Sequence, residues 1–210
     1  MTSPAPDDVS RADTILKWWF GDAHDEMSLA PDSPYLARWF RGSAAQDAEI
    51  AERFGADHEH AAAWKLSDWA ESPRGRQALV IIYDQFSRTL HRGSPRMFEW
   101  DRRAQSLARR SLADGLVHRL PYVQQLFVMV PLGRAEQVED QEMYLAWIQH
   151  VAEEARIRRL PSVGFWSLGA ERARSYLETI VRFGRFPQRN SLLGREPTDS
   201  EKQFSDTELV

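Results

Sequence analysis

Apolar residues recur along this chain at the three- and four-residue spacing of buried helix faces, and nowhere with the sustained alternation of a paired strand. Ile15, Leu16 and Trp19 define a first helix behind Ser10 as its N-cap, and Gly21-Asp22 ends it. Pro31-Asp-Ser-Pro34 is turn chemistry, with Pro34 in a first helical turn and Trp39-Phe40 closing a short segment. Ser43 caps a helix whose apolar side is Ala48, Ile50, Ala51 and Phe54, and Ala61–Leu66 reads as a short helix before a loop at Ser67-Asp68-Trp69. The clearest stripe is Leu79, Ile82, Tyr83, Phe86 and Leu90, which predicts one helix from Pro73 to Leu90. Ser94-Pro95 opens the next, which carries Phe98, Asp101, Ala104, Leu107, Ala108 and Leu112 as far as Gly115. Pro121–Val130 predicts a short apolar helix. Ala135–Arg158 predicts a long one with Met143, Trp147, Ile148 and Val151 inward. After a loop at Leu160–Gly164, Gly169–Phe183 is the last helix, ended by Gly184. This pattern predicts an all-α fold, an irregular array of antiparallel helix pairs.

No self-similarity at the ~34-residue spacing of helical repeats is visible. The expectation is a single helical domain over residues 1–210, with 1–8 and 196–210 as polar tails. Apolar residues make up 42% of the chain, which excludes a disordered polypeptide. The absence of cysteine removes disulfides, thiolate nucleophiles and thiolate-bound zinc together. Of the formal net charge of −4, residues 1–10 carry −2 and residues 191–210 carry −3, so the body is near neutral. That balance argues against a nucleic-acid partner. The longest apolar runs, Ala78–Tyr83 and Leu126–Leu132, are too short to cross a bilayer, and the N-terminus lacks the basic and apolar regions of a secretory leader. A cytoplasmic protein without a membrane partner is expected. Eight tryptophans make a second copy of the chain one further candidate partner.

The glycine-rich phosphate loops, the G-x-S-x-G elbow and the H-E-x-x-H zinc pair are all missing, so no cofactor and no metal are expected. His58-Glu59-His60 puts two histidines at i and i+2 of a helix, where they diverge. Three polar groups remain. In Tyr83-Asp-Gln-Phe-Ser-Arg88, Asp84 and Arg88 share one helix face, either as an ion pair or as a carboxylate oriented for proton transfer. In Arg182-Phe-Gly-Arg-Phe-Pro-Gln-Arg-Asn190, Arg182, Arg185 and Arg189 surround a helix end. They form either a salt-bridge cluster with Asp84, Asp101, Glu136, Glu139 or Asp140, or a clamp for a carboxylate or phosphate. In Pro131-Leu-Gly-Arg-Ala-Glu-Gln-Val-Glu-Asp140, acids open a helix, which suits its dipole, and they could also pair for acid/base work.

These segments resemble the DUF924 family, bacterial proteins of uncharacterised function. The matching residues are Trp18-Trp19-Phe20-Gly21, Asp84-Gln85-Phe86-Ser87-Arg88 and Arg92-Gly93-Ser94-Pro95 with Phe98 and Asp101. They continue in Pro131-Leu132 with Glu136 and Gln141, Arg182–Asn190, and Leu193-Gly194-Arg195. The resemblance implies a fold similar to tetratricopeptide-like helical arrays, and it implies no reaction. This chain departs from the family pattern at several places. Ser87 and Thr89 replace Pro and Asn, Arg134-Ala135-Glu136 stands for a His-Ser-Glu run, and Tyr176 or Leu177 and then Gln188 stand where histidines are usual.

The expectation drawn from the residues is a polar pocket in which Arg88, Asp101, Arg182, Arg185, Arg189 and Asn190 hold a small anionic molecule beside Asp84 and Glu136. Two alternatives stay open. One is a small-molecule hydrolase or transferase with Asp84 and Glu136 as acid and base. The other is a scaffold that takes a peptide in a groove.

Overall fold

A computed structural model describes residues 6–23 and 29–202, with side chains from Arg11 onward. Among these residues the chain is all-α. Helix α1 runs Pro6–Phe20, α2 Pro34–Leu36, α3 Ala44–Ala62, α4 Pro73–Val80, α5 Ser87–Leu90, α6 Asp101–Ala113, α7 Tyr122–Gly133, α8 Val138–Ile157, α9 Val163–Phe183 and α10 Asp199–Lys202. The first helix begins four residues ahead of Ser10, so Ser10 is not its cap and residues 6–8 are helical rather than tail. Residues 1–5 and 203–210 of the expected tails lie outside the described residues.

Ser33, Ser43, Ser72 and Ser94 each accept a backbone N–H at the start of their segments, the orphan-donor chemistry that puts serine at helix starts. Gly184 ends α9 at φ +68°, its N–H bonded to the carbonyl of Ile180. Other expectations need correction. Ala61–Leu66 is the end of α3 and a turn, not a helix of its own, and Ser67–Glu71 is a 3-10 turn rather than a loop. The segment after Ser94 is a 3-10 turn over Pro95–Phe98, and the α-helix proper starts only at Asp101. Val163 and Gly164, expected in a loop, begin α9, and α8 begins at Val138 rather than Ala135.

Two departures position the site. The expected helix from Pro73 to Leu90 is continuous, but Ile81–Phe86 is wound as a π-helix, and the N–H of Ser87 reaches the carbonyl of Ile82 five residues back. The wider turn rotates all that follows it, and every residue from Ile81 to Phe86, Asp84 included, is buried. Helix α7 runs through Pro131 to Gly133, beyond the expected end at Val130. Its last carbonyls would be orphans. Gln141, fully buried, donates from Nε2 to the carbonyls of Gly133 (2.9 Å) and Ala135 (2.7 Å) and so closes the helix end.

The core is one apolar cluster drawn from α1 through α9. Trp19 sits edge-on to Phe86 and Phe127 at 5.9 and 5.3 Å, joining α1 to the π segment and to α7. Helices α8 and α9 form an antiparallel hairpin, with Trp147 against Trp166 and Ile148 over Gly169, where a Cβ would stand 2.7 Å from the Ile148 Cδ1. No helix among the described residues is long and apolar enough to cross a membrane.

His58 on α3 is buried against Ser87, 2.9 Å from Nε2 to Oγ, with the His91 and Trp100 rings beside it. Burial, then the charges of His91 and Arg96, push its imidazole down to about 4. A folded-state value below the unfolded one means that the unfolded chain takes up a proton first. Stability is therefore complete above about pH 6.5 and falls as pH drops toward 4. By pH 5 the loss is about 2 kcal/mol. Guanidinium denaturation at pH 7 and pH 5 should show this loss in the wild type, and His58→Gln should remove that share of it.

Candidate functional site

Asp84 is the centre of the charged network. It is 1% exposed, and it accepts from Gln85 Nε2, from Arg134 Nη1 and from Arg88 Nη2 (3.3 Å). Burial pushes its carboxyl up, but the charges of Arg134 and Arg88 outweigh burial and hold it below the ordinary carboxylate range. Arg88 also donates to Asp101 Oδ1 at 2.9 Å, and Arg189 lies 3.9 Å from the other Asp101 oxygen. The Phe98 ring centre lies 5.3 Å from the Arg88 guanidinium and 5.0 Å from that of Arg189. Burial, helped by the negative charge of Asp84, raises Asp101 in spite of Arg88. Burial and then the charge of Arg88 lower Arg189 to about 10, so it stays cationic at neutral pH at a cost that a nearby anion would relieve.

A second hub holds the chain after α9. Glu136 accepts the N–H of Phe186 at 2.9 Å and both Nη groups of Arg195 at 2.7 and 3.1 Å. Burial pushes this carboxyl up, but the Arg195 and Phe186 hydrogen bonds prevail and keep it low. Asn190 Oδ1 accepts from Arg195 Nε at 2.9 Å, and Arg189 donates to the carbonyl of Arg134 at 3.0 Å. Arg185 faces elsewhere, forming a two-pronged pair with Glu201 at 2.6 and 2.8 Å. That pair binds residues 196–202, expected as tail, back onto the body as a strap.

Beside the network lies a cavity of about 430 Å³ between α5, α7, α8, α9 and the loop from Phe186 to Arg189. Leu126, Val130, Ile148, Phe165 and Leu168 make its apolar floor, and Arg88, Arg134, Arg172 and Arg189 reach it. Tyr144 lines it too, laid flat against Gly133, where a Cβ would stand 2.6 Å from the ring. Burial keeps the Tyr144 phenol a neutral hydroxyl. The carboxylates stand behind the arginines, and neither Asp84, Asp101 nor Glu136 is part of the lining.

The structure thus joins Asp84, Arg88, Asp101 and Arg189, and sets Glu136 one link away with Arg195 and Asn190. Arg182 is not joined to them; it is exposed and folds over the ring of its neighbour Phe183, 4.7 Å from its centre. Asp140, one expected partner of the last arginines, is taken by Arg109 at 2.7 Å, and Glu139 is exposed. Arg134, Arg172 and Tyr144 are cavity residues that spacing did not single out. Arg134 carries a signal of another kind, since it stands where the family pattern has a histidine. Among the described residues no group of three or more His, Cys, Asp or Glu is placed to hold a metal ion. His58 and His60 point apart, one buried and one exposed.

Fold and site together define an all-α protein with an arginine-edged apolar cleft. The chain belongs to the DUF924 family: the model described as "Bacterial protein of unknown function (DUF924)" matches residues 15–208. No curated protein matches the chain. It is similar to a solved structure, the protein of unknown function ATU0120 from Agrobacterium tumefaciens, with 27% identity and a TM-score of 0.75 over 96% of this chain and 99% of that one. Arg134 and Gln188, which stand where the resemblance expects histidines, line the cavity, as does Tyr176, one of two candidates for the third such place.

Proposed function

We propose that this protein binds a small organic anion in the cleft, with the apolar body of the ligand on Leu126, Val130, Ile148 and Phe165 and its charge against Arg88, Arg134 and Arg189. One observation carries the reading: among the described residues these three guanidiniums share two carboxylates at ion-pair distance, Asp84 and Asp101, at the end of a largely apolar cavity. Arg172 at the same cavity is exposed and has no carboxylate partner among the described residues. Guanidinium forks set beside apolar surface suit a carboxylate or phosphate on a hydrophobic stem. About 430 Å³ falls in the usual range of small-molecule sites, which favours a compact ligand over a peptide. Asp84 and Glu136 serve this reading as anchors for the arginines, since both stay ionised and both are spoken for by guanidinium donors.

Thermal melting with hexanoate, hexyl phosphate, hexanol and inorganic phosphate tests it. The two organic anions should raise the midpoint by roughly 5–10 °C near a hundredfold excess over Kd, while hexanol should leave it in place. Arg134→Ala should weaken hexyl phosphate binding by roughly tenfold or more. No shift with either organic anion at millimolar concentration would sink the proposal.

A further inference from the structure

A second, smaller cavity of about 140 Å³ shares Phe40, Arg88 and Arg134 with the first. Its character differs. Arg38, Arg41 and Arg92 join the two shared arginines around it, and Asp47 is the one carboxylate in its lining among the described residues. The two sides come from distant parts of the chain. Residues 37–41 form a π turn closed by the N–H of Gly42 on the carbonyl of Ala37, which holds Arg38 and Arg41 on one wall. Arg88 and Arg92, in and just after α5, and Arg134, just after α7, make the other.

Three of these five charges are paired within the protein, Arg88 with Asp101 as well as with Asp84, and two are less fully answered. Arg92 meets Asp47 at 3.1 Å, and Arg88 and Arg134 meet Asp84 behind the wall. Arg38 donates to the carbonyl of Trp18 and lies 4.5 Å over its ring, with the charge of Glu49 nearby but no carboxylate at ion-pair distance among the described residues. Arg41 is exposed and has no carboxylate partner among the described residues. Five guanidiniums around one small space repel one another, and a multiply charged anion removes that repulsion more fully than a single carboxylate does. The volume amounts to roughly four or five water molecules, room for one phosphate group but not for an apolar stem.

We infer that the ligand of the cleft is an amphiphile with a diphosphate head. The inference rests on the anion-binding reading above and specifies its ligand class. The apolar stem lies in the larger cavity and the first phosphate between Arg88 and Arg134. The terminal phosphate passes Phe40, the wall common to both cavities, toward Arg41 and Arg92.

Titration calorimetry of hexyl phosphate and hexyl diphosphate, at one ionic strength in metal-free buffer, tests this on the wild type, Arg41→Ala and Arg92→Ala. Both substituted residues are exposed, so each variant should fold. The wild type should bind the diphosphate roughly tenfold more tightly or better. Each variant should cut that ratio to about threefold or less, with hexyl phosphate affinity changing by less than about twofold. Equal affinity for the two ligands in the wild type, or a ratio that survives both substitutions, overturns the diphosphate assignment and leaves the anion-binding reading standing. Failure of both ligands to bind overturns the two together.

Discussion

The Asp84→Asn variant is expected to lose about 3–5 kcal/mol of stability and to melt roughly 10 °C lower or more. Asparagine keeps the shape of the side chain, so packing is spared and the measured loss is electrostatic. In the wild type Asp84 accepts from Arg88 and Arg134 in a place where water does not reach it. With the charge gone, Arg88 retains only Asp101 and Arg134 no carboxylate among the described residues. A pair of buried ions contributes little over an apolar pair of the same size, but removing one member strands the other. The pH dependence gives a second readout. The folded state holds this carboxyl below its ordinary value, so its contribution is whole above the unfolded value near 4 and is lost as pH falls through the folded one. Urea denaturation at pH 7 and pH 3 should therefore show the variant far below the wild type at the first and nearer to it at the second. A loss under about 1 kcal/mol at pH 7 would mean that the arginines find other partners and that Asp84 is not their anchor.

How far these features can be read from the residues depends on how local their causes are. The stripe from Leu79 to Leu90 marks a helix because each apolar side chain is set by its own turn. The π turn inside it leaves no such mark: Ile81 to Phe86 are all buried, so a slip of one residue exposes no polar group and disturbs no pattern. Pro131 shows the same limit. It argues for a helix end, and what carries α7 past it is Gln141, eight residues beyond Gly133 and on the next helix. The pair Asp84 and Arg88 is legible because four residues of helix bring the side chains together. That Asp101 should meet both Arg88 and Arg189 requires α6 and the chain after Gly184 to close on one point, which no spacing states. Arg182 and Arg189 look alike as neighbours of one helix end. The turn at Gly184 leaves the first in solvent and carries the second inward to Phe98. Arg134 is a single arginine whose partners lie 50 residues behind it at Asp84 and 55 ahead at Arg189, so no local spacing marks it.

Glu136→Ala is expected to weaken hexyl phosphate binding by roughly tenfold or more and to cost about 2–3 kcal/mol of stability, although Glu136 is no part of the cavity lining. Its oxygens hold the Phe186 N–H and the Arg195 guanidinium, and Arg195 in turn donates to the Phe186 carbonyl at 3.0 Å and to Asn190. These bonds fix the loop that supplies Phe186, Gln188 and Arg189 to the cavity wall. Removing the carboxylate frees the loop and, with it, one of the three guanidiniums that meet the anion. Glu136→Gln separates this role from proton transfer. Glutamine keeps an oxygen for the Phe186 N–H, so the loop should stay in place and binding should remain within about threefold of the wild type. An acid or base would not be rescued in that way. Calorimetric titration and thermal melting of the two variants side by side decide it. Should alanine bind as well as glutamate, the wall is held by the Arg185–Glu201 strap and the aromatic packing of Phe186 on Tyr176 instead, and Glu136 is only a partner for Arg195.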